Sequence, residues 1–185
     1  FIIAYEAVCG GHWEYLGRSR KQVPIFLQIA QDLATARANL RQHILSFIES
    51  SPIGRHELGE IKETVTAEEI RLKRAKIVVA APSHRVRGQS FAVVALDEVG
   101  SWQKDLEAAS QDVEIERAVI PGQAQFPFRK RFKTSTPMTK EGLLWQAHET
   151  GTYGWKQGFP QSHRKVMVLQ GPTATALNPT VKREF

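Results

Sequence analysis

The chain is predicted to fold as an α/β domain in which a mostly parallel sheet lies between two layers of helices, a three-layer sandwich. Short apolar runs rich in β-branched residues alternate along the sequence with segments whose apolar residues recur every three to four positions. The run over residues 91–97 is apolar almost throughout, which is typical of a strand buried on both faces of a parallel sheet. Alternation of such strands with helices favours three packed layers.

The composition limits the classes of protein to which the chain can belong. Its 185 residues suffice for one domain with a hydrophobic core. The single cysteine, Cys9, excludes an intrachain disulfide and a cysteine-based zinc cluster, and it fits a reducing cytoplasm. No apolar run approaches the roughly 20 residues that span a bilayer, so no membrane partner is expected. The net charge of +6 suits a polyanionic partner, although it is equally a common route to solubility.

The first part of the chain predicts two helices around one strand. A helix is expected over about residues 1–15, ending near Gly17. A strand is expected over residues 23–30, because this run is β-branched and aromatic. Asp32 then leads into a helix that ends near residues 50–52, with apolar residues at helical spacing: Leu33, Ala36, Leu40, Ile44, Leu45 and Ile48.

The rest of the chain predicts four more strands and one or two helices. Thr66, with Glu69 three residues later, predicts a helix N-cap within the polar stretch that ends near residue 74. Pro137 is expected to end a strand and Gly151 to end a helix in the later part of the chain. Strands are expected over residues 77–81, 91–97, 131–136 and 165–170, and a helix over residues 141–150.

Two adjacent carboxylates, Asp97 and Glu98, end the most apolar strand. Ligands of open α/β sheets bind at the carboxyl ends of the strands, where these side chains are expected to lie. The pair matches the second acidic motif (Walker B) of P-loop NTPases, in which Asp97 would bind Mg²⁺ and Glu98 would polarise the water that attacks a phosphate. The alternative is that the two acids cap the helix that follows.

Several ordered motifs resemble the ATPase domain of the large terminase subunit of tailed bacteriophages, the motor that packages viral DNA. Thr134-Ser135-Thr136 followed by Pro137 resembles its coupling motif, which links hydrolysis to DNA movement. The other matching segments are residues 23–40, Arg87-Gly88, residues 93–98, and the tail at 170–173 and 177–180. The resemblance implies a sheet of P-loop NTPase type, ATP and Mg²⁺ as cofactors, and hydrolysis of ATP.

The resemblance also implies roles for individual residues. Glu98 would be the catalytic base, Asp97 the Mg²⁺ ligand, and Thr134, Ser135 and Thr136 the coupling motif. Arg87 would stabilise charge on the phosphoryl group bound by a neighbouring subunit, as arginine fingers do. The alternatives are that Arg87 is a solvated or locally paired loop residue, and that the hydroxyls only satisfy turn backbone groups.

The partners and location implied by the resemblance are those of a packaging motor. They are double-stranded DNA, the portal protein, the small terminase subunit and further copies of the chain in a ring, in the cytoplasm of an infected or lysogenic bacterial host. The basic run 129–133 is another candidate for DNA phosphates, but a solvated strand edge is the favoured interpretation.

The sequence departs from the family in two places. It has no G-x-x-x-x-G-K-[ST] motif, and Gly10-Gly11 is followed by His12 and Trp13. The first strand and the phosphate-binding loop are therefore expected before Phe1, and their loss is expected to leave a gap or an unpaired edge beside the strand over residues 131–136. Residues 1–180 are expected to be a partial ATPase domain, inactive alone, and 181–185 the start of a linker to a nuclease domain.

Two other interpretations remain open at the level of sequence. One is a helicase-like DNA translocase, which shares the Asp-Glu pair, although Thr-Ser-Thr-Pro favours the terminase resemblance. The other is a prophage remnant that hydrolyses nothing.

Overall fold

The computed structural model describes residues 1–12, 14, 23–58, 65–82, 86, 88–102, 111–136 and 140–150, and the backbone of 152–153 and 167–168. Five strands form one sheet in the spatial order β2-β3-β1-β4-β5. β2 is antiparallel to β3, whereas the other neighbours are parallel. The strands are β1 Ile25–Ile29, β2 Glu69–Arg71, β3 Lys76–Ala80, β4 Phe91–Asp97 and β5 Lys130–Thr134.

Helices cover both faces of this sheet, as predicted. The first hydrophobic cluster joins α1, α2, α3 and α4 to one face, and the second joins α5 and α6 to the other. A π-helical segment, Leu40–Leu45, links α2 to α3. The helices are α1 Ile2–Cys9, α2 Leu33–Asn39, α3 Ser46–Ser50, α4 Pro52–Leu58, α5 Gln111–Val119 and α6 Gly142–Thr150. No helix in the described ranges is long and apolar enough to cross a membrane.

β4 lies at the centre of both clusters. Phe91, Val94 and Leu96 face the second cluster, whereas Val93 faces the first. Ile25 of β1 pairs with Phe91 and Phe26 pairs with Val93, so β4 carries one extra residue between them. The bulge places two consecutive residues, Ala92 and Val93, in the first cluster. β4 buries side chains on both faces of the sheet because helices cover both faces.

The predicted extent of the first helix is wrong. α1 ends at Cys9, and Gly10 closes it by donating its amide to the carbonyl of Glu6. Gly11 follows with a φ of +69°, a conformation that continues no helix. The His12 imidazole then returns to the Glu6 carboxylate, 2.9 Å from Nε2 to Oε2. Residues six apart on one helix point to different sides and lie about 9 Å apart along its axis, so this contact requires the helix to end before His12.

The predicted helix N-cap at Thr66 is also wrong, because this residue begins the tight loop of a β-hairpin. The Thr66 hydroxyl does accept from the Glu69 amide, at 3.0 Å, but the Thr66 amide donates to the Glu69 carbonyl at 2.8 Å. Val65 and Ile70 then form an antiparallel bridge. Ile70 is fully buried. Pairing of β2 with β3 places this apolar side chain in the core, whereas a helix in this polar stretch would leave it exposed to solvent.

The last predicted strand does not join the main sheet in the described residues. Met167–Val168 (β7) pairs in parallel with Thr152–Tyr153 (β6) in a separate two-stranded sheet. β5 is consequently an edge of the five-stranded sheet in the described part of the chain. An unpaired edge beside this strand is one of the two arrangements that the sequence predicted.

Candidate functional site

The candidate site lies where β4 and β5 end side by side. Asp97 is the last residue of β4, and it pairs in register with Thr134, the last residue of β5. The Thr134 hydroxyl donates to Asp97 Oδ1 at 2.7 Å. Since both strands are parallel members of one sheet, this contact lies at the carboxyl edge, where the sequence predicted a ligand site.

Glu98 and Ser135 form a second contact one residue beyond the strands. The Ser135 hydroxyl lies 3.4 Å from Glu98 Oε2 and 3.2 Å from the carbonyl of Thr136, and it accepts from the Gly100 amide at 3.0 Å. Ser135 has one proton to share between two acceptors, and its approach to Glu98 is long for a strong hydrogen bond. Of the three hydroxyls, that of Ser135 approaches Glu98 and that of Thr134 binds Asp97, whereas Thr136 contributes its carbonyl to Ser135. Ser135 also binds the backbone of Gly100 and Thr136, which is the alternative role considered for these hydroxyls.

The backbone turns sharply at Glu98. Its φ of 53° and ψ of 41° are left-handed, and a 3₁₀ turn over Val99–Ser101 follows. The Ser101 amide and hydroxyl both donate to the Glu98 carbonyl, at 2.9 and 2.7 Å. Glu98 is exposed and its side chain makes no capping hydrogen bond to this turn. The alternative of Glu98 as a capping acid thus has no support at the turn that directly follows.

The donors at this edge are compatible with Mg²⁺. Among the described residues, no group of three or more His, Cys, Asp or Glu side chains could enclose a metal ion. Mg²⁺ does not need such a group, because it keeps several waters and binds through one or two carboxylates together with substrate phosphates. Asp97, held by Thr134 through one oxygen, is a donor of that kind.

Two further predictions from the sequence concern Arg87 and the basic run 129–133. Arg87 lies outside the described residues, although its neighbours are described: Val86 is buried, and Gly88 is exposed with a φ of +80°.

The basic run near β5 contacts acids within the chain. Arg131 and Lys133 both approach Glu116, at 3.4 and 2.8 Å, as a paired strand surface would.

A buried polar cluster also lies beside the start of β5, and sequence reasoning missed it. Lys130 Nζ lies 2.6 Å from Glu6 Oε1, and His12 Nε2 lies 2.9 Å from Glu6 Oε2. Burial raises the pKa of Glu6, but the hydrogen bonds and charges of Lys130 and His12 outweigh it, so that the pKa is lowered overall. Glu6 and His12 are six residues apart, but Lys130 is 124 residues from Glu6, and only the fold brings it there.

Trp102 is the second feature that the sequence did not reveal. It is buried in the second cluster. Its indole Nε1 also donates to the carbonyl of Asp97 at 3.0 Å. Tryptophan five residues after an acid gives no sequence signal for such a bond, since it depends on the turn at Glu98.

Comparisons with known proteins add nothing to these observations: no family model matches the chain, and no curated protein sequence matches it.

Proposed function

We propose that this chain is the ATPase motor domain, in part, of a large terminase subunit of a tailed bacteriophage. The domain would drive packaging of viral DNA into the procapsid by ATP hydrolysis. The observation that carries the proposal is the pairing of Asp97 and Glu98 with hydroxyls of Thr134 and Ser135 at the carboxyl edge of two parallel strands. Two acids and two hydroxyls at one sheet edge suit a hydrated metal ion and an attacking water.

The order of the strands supports the same proposal. β4, which carries the acids, lies between β1 and the strand that leads into Thr134-Ser135-Thr136. A coupling motif must change its conformation when ATP is hydrolysed at the acidic pair. A neighbouring parallel strand gives the most direct structural connection between the motif and the acids. In this scheme Asp97 binds Mg²⁺, Glu98 polarises the water, and the three hydroxyl residues respond to the state of Glu98.

The chain would supply the metal ligand and the base but not the phosphate cradle. A phosphate-binding loop and its lysine, placed before Phe1 in the natural protein, would hold the ATP. Residues 1–180 would belong to the ATPase domain and 181–185 to the linker that leads to a nuclease. Double-stranded DNA, the portal protein, the small subunit and a ring of identical subunits would be its partners, in the cytoplasm of a bacterial host.

The proposal is tested by ATP turnover of the natural protein with its loop, in wild-type form and as Glu98→Gln. The amide keeps the shape of the side chain but lacks the charge that polarises water, so turnover should fall at least about a hundredfold while ATP binding persists. Glu49→Gln, the same change on α3, is the control and should turn over ATP normally. Turnover of Glu98→Gln at the wild-type rate, or no turnover by the wild type, would contradict the proposal.

A further inference from the structure

The indole of Trp102 is attached to the backbone of the acidic pair. Trp102 is 5% exposed and packs in the second hydrophobic cluster, which also contains residues of α5 and α6. Its Nε1 donates to the carbonyl of Asp97 at 3.0 Å. A buried indole normally finds one hydrogen-bond acceptor, and here that acceptor is the last peptide group of β4.

This peptide group controls the direction of Glu98. The Asp97 carbonyl and the Glu98 amide belong to one planar unit, so a bond that fixes the carbonyl also fixes the rotation about Asp97 ψ and Glu98 φ. Glu98 is the one non-glycine residue with a positive φ in the described part of the chain. That conformation costs roughly 1 kcal/mol or more for a residue with a Cβ, so it needs support from its surroundings.

The support comes from both sides of Glu98. Trp102 holds the preceding peptide, and Ser101 holds the Glu98 carbonyl through its amide and its hydroxyl. Gly100 completes the turn, because its amide reaches the Ser135 hydroxyl and a Cβ there would lie only 3.0 Å from that oxygen. The turn thus presents the Glu98 carboxylate to Ser135.

We infer that Trp102 is a positioning residue, which holds the left-handed turn so that the Glu98 carboxylate faces the reacting water. The inference rests on the proposed ATPase function. Trp102 itself touches neither ATP nor metal in this scheme. It connects the direction of Glu98 to the packing of the α5 and α6 layer, so a small displacement of that layer changes the geometry of the acid.

Substitution of Trp102 distinguishes a positioning role from a role in packing alone. Trp102→Phe removes the N–H donor but keeps an aromatic ring in the core. Trp145→Phe is the matched control, since it removes an indole on α6 that stacks on His148. If Trp102 only fills space, both variants should behave alike except for a small loss of thermal stability in Trp102→Phe.

The first measurement uses the 185-residue chain and requires no activity. Hydrogen exchange of the Gly100 amide reports whether the turn stays closed on Ser135. We expect exchange at Gly100 to be about tenfold faster in Trp102→Phe and unchanged in Trp145→Phe. Ser101→Ala, a change at a partly exposed residue, should speed the same exchange severalfold without affecting the core. Unchanged exchange of the Gly100 amide in Trp102→Phe would overturn the inference.

The second measurement uses the natural protein with its loop. In Trp102→Phe, kcat should fall about tenfold while KM for ATP stays within about twofold, because a misdirected base affects the chemical step and not substrate binding. Equal kcat in the Trp102→Phe and Trp145→Phe variants would overturn the inference. A wild type without turnover would instead refute the ATPase proposal, and the exchange of Gly100 would still decide whether Trp102 holds the turn.

Discussion

At the scale of single residues, Asp97 and Glu98 are adjacent in sequence but have different partners. The Asp97 carboxylate is fixed by a short bond from Thr134, whereas the Glu98 carboxylate has a long approach from Ser135 as its side-chain contact among the described residues. A well-held acid suits a metal ligand, and a loosely held acid suits a group that must move a proton. The two carboxylates should therefore respond differently to changes in their neighbours.

Thr134→Val tests the bond to Asp97. The substitution keeps the branched shape but removes the donor, and outer-shell donors of this kind typically contribute ten- to a hundredfold to metal affinity. We expect the Mg²⁺ concentration for half-maximal ATP turnover to rise about tenfold. Thr134→Ser, which keeps the hydroxyl, should remain within about threefold of the wild type. An unchanged Mg²⁺ requirement in Thr134→Val would show that this bond does not organise a metal ligand.

Lys130→Met tests the buried cluster around Glu6. The Glu6 carboxylate would remain buried without its lysine, so unfolding should become easier by about 2 kcal/mol, which is less than for a fully buried pair because Lys130 is half-exposed. Lys76→Met should cost under about 1 kcal/mol, because its partner Glu69 is a more exposed carboxylate than Glu6 and also contacts Arg71. Urea unfolding measures both, and equal losses would contradict the account of Glu6.

The cost of Lys130→Met should depend on pH in a defined direction. The pKa of Glu6 is lowered below its ordinary value of 4.5, so the stability that this carboxylate contributes is present above that pH and is lost as the pH falls through the folded-state pKa. Without Lys130 the pKa of Glu6 should be lowered less. The difference in unfolding free energy between the wild type and Lys130→Met should therefore be greatest above about pH 4.5 and shrink below it. A difference that grows on acidification would contradict this assignment.

At the scale of elements, α5 and α6 begin at a shared carboxylate. Asp112 accepts from the Val113 amide at 2.8 Å through Oδ1 and from the Leu143 amide at 2.7 Å through Oδ2. Gly142 allows this approach, since its φ is +75° and a Cβ there would lie 2.4 Å from Asp112 Oδ2. One acid thus ties the start of the helix that follows the Thr134–Thr136 segment to its neighbour.

Gly142→Ala should consequently destabilise the fold by about 2 kcal/mol or more, because it adds backbone strain and displaces the cap of α6. Gly88→Ala is the control, with a φ of +80° and no atom of the described residues within 4 Å of the added Cβ. It should cost only about 1 kcal/mol, from backbone strain alone. Equal shifts of the urea midpoint in the two variants would mean that the Asp112 contact contributes nothing.

Sequence pattern was sufficient for the elements whose signal is local. The strands near residues 25, 77 and 91 and the helix after Asp32 follow from their apolar patterns, and Asp32 does cap that helix. The strand near residue 130 is polar, and its end was predicted from Pro137. β2 was missed because Glu69–Arg71 is short and polar, and only its pairing with β3 makes it a strand. The left-handed Glu98 and its bond from Trp102 could not be predicted, since neither residue type specifies a dihedral angle.

At the scale of the whole molecule, the layered architecture was predictable from the sequence and the exposed edge was partly so, whereas the order of the strands was not predicted. Helices on both faces and a parallel core follow from the alternation of elements. β5 is an edge in the described residues and carries Lys130, Arg131 and Lys133, and charged side chains of this kind discourage strands of other molecules from pairing there. In the proposed motor, a strand from before Phe1 would cover this edge.

A ring motor also predicts how Arg87 acts. Arg87→Ala in the natural protein should fold and bind nucleotide but lose DNA-stimulated turnover, because an arginine finger acts on the transition state. Mixing Arg87→Ala with Glu98→Gln subunits should restore part of the turnover, since an intact Glu98 site can then receive Arg87 from its neighbour. Mixed assemblies that form but stay inactive would contradict an arginine shared between subunits.

The central claim is that ATP and Mg²⁺ bind where β4 and β5 end. The most direct test is a crystal structure of the natural protein, with the segment before Phe1, bound to Mg²⁺ and a non-hydrolysable ATP analogue. We predict that Mg²⁺ lies beside the Asp97 carboxylate, bound directly or through one water, and that a water between Glu98 and the terminal phosphate is in line for attack. A nucleotide bound elsewhere, with Asp97 and Glu98 facing only solvent, would contradict the claim.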